Sequence, residues 1–300
     1  MKFNLSIVIV PYKSQDTIID CLDSVYDTCK KHTFEVVLSD NSPDTNTRDI
    51  VEKNKKKYPN LTYIHNKDNL GFAAANNIGI AKTSGEYVLF LNPDMKLYEK
   101  TLDGMLDFMK ANPDCGASTC DVVLINGDHD DSSHRGFPTP WRSFAYFSGL
   151  AKAFPKSRTF AGYNMTYSDF STTHTIEALA GSFMLVPREI GEKLKWWDDD
   201  YFFYGEDLDF CFRIIELGYK IYFVPEFKAL HYKGISSGIK EVSKELTHAT
   251  RETKLKVTNW RFNAMKIFYD KHYKSQYPRW FRAMVFSGID LKKKMALRKI

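Results

Sequence analysis

The sequence of 300 residues has no long hydrophobic run. A membrane-spanning helix needs roughly 18–20 apolar residues, and no stretch approaches that length. Residues 5–10 are apolar but too few for the core of a signal peptide, and Pro11 follows them without a small-residue cleavage site. We therefore expect a cytoplasmic protein without transmembrane helices.

Several sequence patterns that would define a class are also missing. The five cysteines are odd in number and lack C-x-x-C spacing, which favours reduced thiols and argues against a zinc site. No G-x-G-x-x-G follows the first predicted strand, so a dinucleotide-dependent dehydrogenase is disfavoured. We find no internal repeat either.

Charge is distributed unevenly along the chain. Residues 251–300 carry 14 Lys or Arg and 3 Asp or Glu, whereas the preceding part has a net charge of −6. A basic segment on an acidic body predicts an anionic partner, and both a membrane surface and a nucleic acid qualify. Because the sequence contains no nucleic-acid-binding motif, we expect the partner to be a membrane surface and not a nucleic acid.

Strand and helix patterns alternate through the first 125 residues. Continuous apolar, β-branched runs predict strands buried on both faces, and apolar residues three and four apart predict helices. The predicted strands are residues 5–10, 34–39, 61–65, 86–91 and 116–124, and the predicted helices are residues 17–31, 44–58, 71–82 and 99–111. This alternation predicts an α/β fold, Rossmann-like, with a mostly parallel sheet and flanking helices.

The pattern weakens after residue 125. We predict a polar loop or hairpin at 127–136, a strand at 175–187, short strands at 220–224 and 229–232, and a helical, basic, aromatic segment from residue 244. The aromatic stretch 141–154 is left open among core, acceptor lid and contact surface. The predicted domains are an α/β domain over 1–240, divided into halves near residue 125, and a basic amphipathic helical tail over 241–300.

Polar side chains follow three of the predicted strands. Tyr12, Asp40 and Asp94 each come just past a strand end. Parallel strands end at one edge of an open sheet, and ligands bind in the crevice there. The sequence therefore predicts one polar crevice built from three separate stretches.

Residues 201–210, YFFYGEDLDF, place three carboxylates behind four aromatic residues. The carboxylates are Glu206, Asp207 and Asp209. Apolar spacing after them predicts a helix that stops at Gly218. Acids at the start of this helix either include a general base or only cap the helix and complement its dipole.

Several sequence blocks, in this order, resemble the family 2 glycosyltransferases, which have the GT-A fold. The blocks are SIVIVPY, LSDNS, NLGFAAANNIG, LFLNPD and YGEDLDFCFRI, with HYKGISS downstream. The likeness covers about residues 4–240, and the ordered set is more specific than any single block. It implies a GT-A catalytic domain over 1–240, with a donor-binding half over about 1–125 and an acceptor half over about 126–240. Among members, the sequence looks closest to bacterial rhamnosyltransferase-like enzymes of capsule, O-antigen or cell-wall polysaccharide synthesis.

The resemblance implies that a sugar, with L-rhamnose as one candidate, moves from a dTDP- or UDP-sugar to the hydroxyl of a glycan or polyprenol-linked acceptor. The leaving diphosphate needs charge neutralisation, which Mg²⁺ or Mn²⁺ supplies. The family's D-x-D motif reads Asn92-Pro93-Asp94 here, so Asp94 is the implied metal ligand and Asn92 is grouped with the donor site. His231 is implied as a second ligand, although it also fits a histidine packed at a strand end.

The resemblance also implies roles for residues around the two substrates. Asp40 matches the acid that accepts a hydrogen bond from the imide N–H of the base, and Asp207 matches the general base of a single inverting displacement. Glu206 and Asp209 would orient the acceptor or pair with Arg213. The other positions implied near the nucleotide are Pro11, Tyr12, Asn69 and Asn77, and the two asparagines fit capping or surface roles equally well.

Two other functions stay open at this point. A nucleotide-sugar-binding protein without catalysis would bind the donor and release no diphosphate product. A processive polysaccharide synthase is suggested by Q-x-x-R-W, which residues 276–280 match. That string lies 69 residues past Asp207, and Pro278 interrupts the local helix.

The last predicted helix, residues 279–299, has the pattern of an interfacial helix. Its apolar face is approximated by Phe281, Met284, Val285, Leu291 and Met295. We predict that the tail docks on the anionic inner face of the cell membrane, which would make the protein peripheral there. The alternative is that its aromatic residues pack on the catalytic domain or on a second subunit, so a homodimer stays open.

Overall fold

The computed structural model describes residues 3–232 and 250–300. Its strands are Leu5–Ile9 (β1), Phe34–Asp40 (β2), Leu61–His65 (β3), Tyr87–Leu91 (β4), Met95–Leu97 (β5), Cys115–Leu124 (β6), His174–Ile176 (β7), Phe183–Pro187 (β8) and Lys220–His231 (β9). Its helices are Ile18–Thr28 (α1), Asn46–Asn54 (α2), Phe72–Ile80 (α3), Thr101–Ala111 (α4), Pro140–Ser148 (α5), Leu150–Ala153 (α6), Arg188–Leu194 (α7), Glu206–Glu216 (α8), Arg251–His272 (α9) and Arg279–Leu297 (α10).

The strands form one sheet in the order β3-β2-β1-β4-β8-β6-β9-β5, with β7 paired to β9. The strands β1, β2, β3 and β4 run parallel, and so do β6 and β9. The strands β5, β7 and β8 are antiparallel to their neighbours. The predicted α/β class is confirmed, and the sheet is continuous across residue 125, where the division into two halves stays a prediction.

The apolar run of β1 is explained by burial on both faces of the sheet. Ile7 and Ile9 belong to one core cluster, which also contains residues of α1 and α4. Val8 belongs to a second cluster, which contains Ala73 of α3 and Phe210 of α8. Alternate residues of a strand point to opposite faces, so a strand covered on both sides needs apolar residues throughout.

Three details differ from the sequence-based prediction. The single strand predicted at 175–187 is two strands, β7 and β8. The backbone between them leaves the strand path, and it forms an isolated bridge with Arg135 at Ala178 and a hydrogen bond with Asn92 at Ser182. The two strands predicted at 220–224 and 229–232 form one strand, β9, with a register shift where Pro225 cannot donate a ladder hydrogen bond. The short strand β5 was not predicted.

The C-terminal helices differ in how they pack. Helix α9 buries Phe268 and Tyr269 in the second core cluster, and its Trp260 lies on Phe202 with ring centroids 4.4 Å apart. Helix α10 packs on α9 but has no fully buried residue. The predicted boundary near residue 240 and the start of the tail at residue 244 lie outside the described residues. Within the described ranges, no helix combines the length and apolarity needed to cross a membrane.

Candidate active site

The predicted crevice residues lie at one edge of the sheet, where β1, β2 and β4 end. The loops are tied together because the Asn41 amide donates to the Pro11 carbonyl at 2.9 Å. The Asn92 amide donates at 3.0 Å to the carbonyl of Ser182, in the loop that joins β7 to β8. Tyr12 follows Pro11 and is half-buried. The loop after β1, the N-P-D turn after β4 and the loop before β8 therefore lie together at this edge.

Asp94 and His231 lie side by side. Strand β5 pairs with the end of β9, so that Met95 is opposite His231. The Asp94 Oδ1 atom is 3.4 Å from His231 Nε2, and the Tyr232 amide donates to the Asp94 carbonyl at 3.0 Å. The pairing of these two strands thus brings together the two residues that the sequence predicts as metal ligands.

His231 is oriented by a second acid, Asp130. The His231 Nδ1 atom is 3.0 Å from Asp130 Oδ2, and both side chains are buried. Burial opposes a charge on His231, but Asp94 and the hydrogen bond to Asp130 outweigh it and raise the pKa of His231 to about 9. A metal bound at Nε2 would have to displace that proton, so metal binding there would release a proton.

The geometry fits two adjacent ligands of one divalent ion. Metal–ligand bonds of about 2.0–2.2 Å place neighbouring ligand atoms about 3 Å apart, close to the observed Asp94–His231 separation. Asp130 occupies the place of the outer carboxylate that commonly orients a metal-bound histidine. No cluster of three His, Cys, Asp or Glu side chains suited to a metal occurs in the part of the chain described. Two protein ligands suit an ion that takes its other ligands from phosphate and water.

Asp207 lies in the first turn of α8. Gly205, just before the helix, has a φ of 89°, and a Cβ atom there would lie 3.0 Å from the Tyr201 ring, so this turn requires glycine. One Asp207 oxygen, Oδ1, accepts the Leu208 amide at 2.8 Å. The other, Oδ2, accepts a hydrogen bond from Arg135 Nη2 at 2.6 Å. Asp207 therefore accepts one hydrogen bond from the first turn of α8, from Leu208, and one from Arg135 outside the helix.

Arg135 is anchored firmly enough to hold Asp207 in place. Its backbone exchanges hydrogen bonds with Ala178 at 2.8 and 2.9 Å, and Nη2 also donates to the Leu179 carbonyl at 3.2 Å. Burial lowers the pKa of Arg135, but the charge and hydrogen bond of Asp207, together with other neighbours, raise it more, so the guanidinium stays protonated. Charge-assisted hydrogen bonds of this kind are short and strong, which fixes the Asp207 carboxylate in one orientation.

Glu206 is a buried acid beside Asp207. Its side chain is almost fully covered, and burial together with the Asp207 charge raises the pKa of Glu206 to about 8. The residue is therefore neutral at pH 7. Three buried polar atoms of this region make no hydrogen bond among the described residues, namely Glu206 Oε2, Arg135 Nε and Ser182 Oγ. A polar substrate group entering here finds both donors and acceptors.

Asp209 and Arg213 serve the packing of α8. Asp209 is buried and accepts hydrogen bonds from Arg213 Nε at 2.7 Å and from His272 Nε2 at 2.8 Å. Arg213 also donates to the carbonyls of Leu194 and Trp196. Burial raises the pKa of Asp209, but the bonds from His272 and Arg213 lower it more. The network ties α8 to α9, and an acceptor role for these residues stays a prediction.

The residues predicted for the nucleotide make internal contacts. Asp40 is fully buried, with one oxygen bound by the Tyr63 hydroxyl and the other by the Ser42 amide at 2.8 Å. Asn69 Oδ1 accepts the Gly71 amide at 3.0 Å, just before α3. The Asn77 side chain pairs with the backbone of Trp197, at 2.9 and 3.2 Å. Base contacts by these three residues stay predictions.

Sequence reasoning did not identify Asp130 and Arg135. Both lie in the stretch 127–136, which was predicted only as a polar loop or hairpin. The one sequence signal was the density of Asp and His in this stretch. The two residues are five positions apart, and five residues of extended chain reach at most about 17 Å. This short segment therefore links the Asp94–His231 pair to Asp207 and places both parts in one site.

The fold matches that of solved sugar-transferring enzymes. The crystal structure of GalNAc-T7 with UDP, GalNAc and Mn²⁺ superposes with a TM-score of 0.60 at 18% identity, covering 97% of this chain. This chain spans 55% of the length of that protein. At such low identity the likeness shows the fold alone, which is the GT-A fold predicted from the sequence.

Curated relatives define the class. The rhamnosyltransferase WbbL of Escherichia coli K12 is 27% identical over 235 residues, which are 75% of this chain and 82% of the relative. The N-acetylglucosaminyl-diphospho-decaprenol L-rhamnosyltransferase of Mycobacterium tuberculosis H37Rv is 28% identical over 217 residues, 68% of either chain. The fold and these relatives define a glycosyltransferase.

Family models give the particular assignment. The model described as glycosyl transferase family 2 matches residues 6–173, and that of glycosyl transferase family group 2 matches residues 111–283. The chain belongs to glycosyl transferase family 2. The resemblance found in the sequence is thereby confirmed.

Proposed function

We propose that this protein is an inverting glycosyltransferase that moves L-rhamnose from a dTDP- or UDP-sugar to a glycan or polyprenol-linked acceptor in surface polysaccharide synthesis. The observation that carries the proposal is Asp207, fixed by Arg135 at the start of α8 and linked through one short segment to the Asp94–His231 pair. Rhamnose is suggested by the names of the two relatives, and a polyprenol-linked acceptor by one of them.

In the proposed reaction, Asp207 removes the proton of the acceptor hydroxyl. The acceptor oxygen forms a bond to the anomeric carbon as the bond from that carbon to the nucleoside diphosphate breaks, with inversion. Arg135 keeps the carboxylate of Asp207 aimed in one direction. Glu206, neutral at pH 7, avoids a second negative charge next to Asp207, and its carboxyl group can donate a hydrogen bond to the acceptor.

Asp94 and His231 would hold a divalent ion, Mg²⁺ or Mn²⁺, with Asp130 fixing the histidine ring. When bound, such an ion neutralises charge on the leaving diphosphate. EDTA-treated enzyme should lose transfer activity and regain it with added Mn²⁺ or Mg²⁺. Asp94→Ala should weaken donor binding and remove activity. Full activity of the metal-free enzyme would exclude this part of the proposal.

We also propose that the reaction takes place at the inner face of the cell membrane. A polyprenol-linked acceptor is confined to a membrane, and residues 251–300 carry the excess of Lys and Arg that an anionic leaflet attracts. We expect the protein to be cytoplasmic and peripheral at that face. Fractionation of cells into soluble and membrane parts, before and after a salt wash, measures this location.

A screen of nucleotide sugars, beginning with dTDP-rhamnose, tests the proposed chemistry. We expect diphosphate release with one donor and transfer of a single sugar to a polyprenol-linked or glycan acceptor. Donor binding without any product would favour the inactive binding protein. A ladder of products would favour a processive synthase, although Trp280 of the Q-x-x-R-W string is 69% exposed on α10.

A further inference from the structure

Two neighbouring surface elements expose large apolar side chains that the proposed reaction does not use. On α10 the exposed residues, here called the α10 stripe, are Trp280, Met284, Leu291 and Met295, each 48–69% exposed. The second set, here called the aromatic cluster, consists of Trp141, Phe144, Phe154 and Phe160, of which the first three are 48–57% exposed. Isolated exposed apolar residues are common, but contiguous ones mark interaction surfaces.

The α10 stripe points away from the body of the protein. Its members follow one another at intervals of four, seven and four residues, which places them within about 60° of each other around the helix. The opposite side of the helix carries Val285 and Phe286, which pack against the core, and Arg282, which binds Asp270 at 2.6 Å. Helix α10 is therefore anchored by one side and presents an apolar stripe on the other.

The aromatic cluster is held in place by contacts among its own rings. The ring centroid of Trp141 is 5.8 Å from that of Phe144 and 6.0 Å from that of Phe160, and the centroids of Phe154 and Phe160 are 5.3 Å apart. Trp141 Nε1 also donates to the Thr159 carbonyl at 3.0 Å. The rings thus form a preformed apolar patch on the surface, at a low additional entropy cost for binding.

The two sets lie on touching elements. Lys292 of α10 donates from Nζ to the Phe147 carbonyl at 3.4 Å, and the same Nζ is 5.2 Å from the centre of the Phe147 ring. Lys292 follows Leu291 of the stripe and is turned about 100° from it around the helix. Helix α5, which carries Phe147, therefore lies beside the stripe and not behind it.

Charge on both elements has one sign. Residues 279–299 contain seven Lys or Arg and one acid, and residues 140–158 contain four and no acid. Among the described residues, the one acid, Asp290, pairs with Lys266, and Lys293, Lys294 and Arg298 take part in no ion pair. A second copy of this chain would bring like charges together at this face, whereas an anionic lipid surface complements it.

We propose that α10 and residues 140–160, which include α5, α6 and the aromatic cluster, together form one membrane-docking face. Its apolar side chains enter an anionic lipid surface while the Lys and Arg side chains contact the head groups. The inference rests on the proposed function only for the membrane location of the acceptor. It adds a second element, the aromatic cluster, to the tail predicted from the sequence.

Vesicle binding of the full-length protein tests the face. Phosphatidylcholine vesicles with 0–40% phosphatidylglycerol, in about 0.1 and 0.5 M salt, are the probe. Wild type should bind more strongly with more anionic lipid and less strongly in high salt. Phe144→Ser with Phe154→Ser, and separately Met284→Ser with Leu291→Ser, should each lower the partition coefficient at least about tenfold. Ile125→Ser removes a side chain that is 48% exposed elsewhere, and should leave binding unchanged.

Further measurements show that a loss of vesicle binding is not caused by unfolding or by loss of catalysis. Thermal unfolding and transfer to a water-soluble acceptor should be unaffected in both double variants. Lipids brominated on their acyl chains should quench part of the tryptophan fluorescence, and less of it in Trp141→Phe and in Trp280→Phe.

Three results would overturn the proposal. The first is that wild type does not bind vesicles. If the double variants also convert a dimer into a monomer, the face is a contact between two copies of the chain. The second is wild-type binding by the Phe144 and Phe154 double variant, which would exclude the aromatic cluster. The third is equal binding to neutral and anionic vesicles.

Discussion

Glu206 provides a pH-dependent test of the site. In the folded protein, burial and the neighbouring Asp207 raise the pKa of Glu206 from 4.5 to about 8. Glu206→Gln replaces the acid with a neutral group of nearly the same shape. We expect this variant to be more stable than wild type at pH 8, and the advantage to shrink as the pH falls.

The direction and size of this difference in stability follow from the coupling of unfolding to proton release. Between pH 4.5 and 8, Glu206 holds its proton in the folded state and has lost it in the unfolded chain, so unfolding releases a proton. The free energy of unfolding therefore falls with rising pH, by about 1.4 kcal/mol for each pH unit. From pH 5 to 8 this amounts to about 4 kcal/mol, which glutamine does not lose. The contribution of His231 is common to both proteins and cancels in the difference.

Urea unfolding at pH 5, 6, 7 and 8 measures the difference between the two free energies of unfolding. Glu216→Gln, an exposed substitution on the same helix, is the matched control and should follow wild type at every pH. If wild type and Glu206→Gln change in parallel across this range, Glu206 has an ordinary pKa and the reasoning about its buried neutral form is wrong.

Three further variants test other contacts. Arg135→Lys keeps a positive charge but loses the fork geometry of the guanidinium. It should lower kcat by about tenfold or more with little change in the donor KM. An equal change in kcat and in the donor KM would refute a role in positioning Asp207. Asp130→Asn should raise the metal concentration needed for half-maximal rate by about 10–100-fold, because it loosens the ring of His231, and an unchanged metal titration would contradict this. Asp209→Asn should lower the free energy of unfolding by about 3–5 kcal/mol in a denaturant titration, and a loss within experimental error would show that the network with α9 is dispensable.

The edge of the sheet could be predicted because its signals are local. Runs such as residues 5–10 are apolar except for Ser6, and the polar residues that end the strands, including Asp40 and Asp94, must fall at one edge when the strands are parallel. The helix after Gly205 followed from its apolar spacing in the same way. These features depend on residues close together in sequence.

The remaining part of the site depends on contacts between distant residues. Asp130 meets His231, and Arg135 meets Asp207, across gaps of 101 and 72 residues. A polar loop has no periodicity from which such a pairing could be predicted. Asp40 shows a related limit, because the sequence indicates its place after a strand but not its internal hydrogen bonds to the Tyr63 hydroxyl and the Ser42 amide.

The tail illustrates the same limit on a larger scale. From its composition, the basic and aromatic segment after residue 244 was predicted to be a single tail. In the structure, Phe268 and Tyr269 of α9 are buried in the core, whereas Trp280 and Leu291 of α10 are exposed. Amphipathic spacing indicates an apolar face but not what covers it. Packing on the body of the protein describes α9, and docking of α10 on a membrane stays a proposal.

Single-turnover transfer by Asp207→Asn tests whether Asp207 is the general base. With donor and acceptor both saturating, we expect the rate to fall about 10²–10⁴-fold while donor affinity stays within a few-fold of wild type. Asp199→Asn, an exposed substitution just before α8, is the matched control and should transfer at the wild-type rate. Transfer by Asp207→Asn at the wild-type rate would exclude Asp207 as the general base.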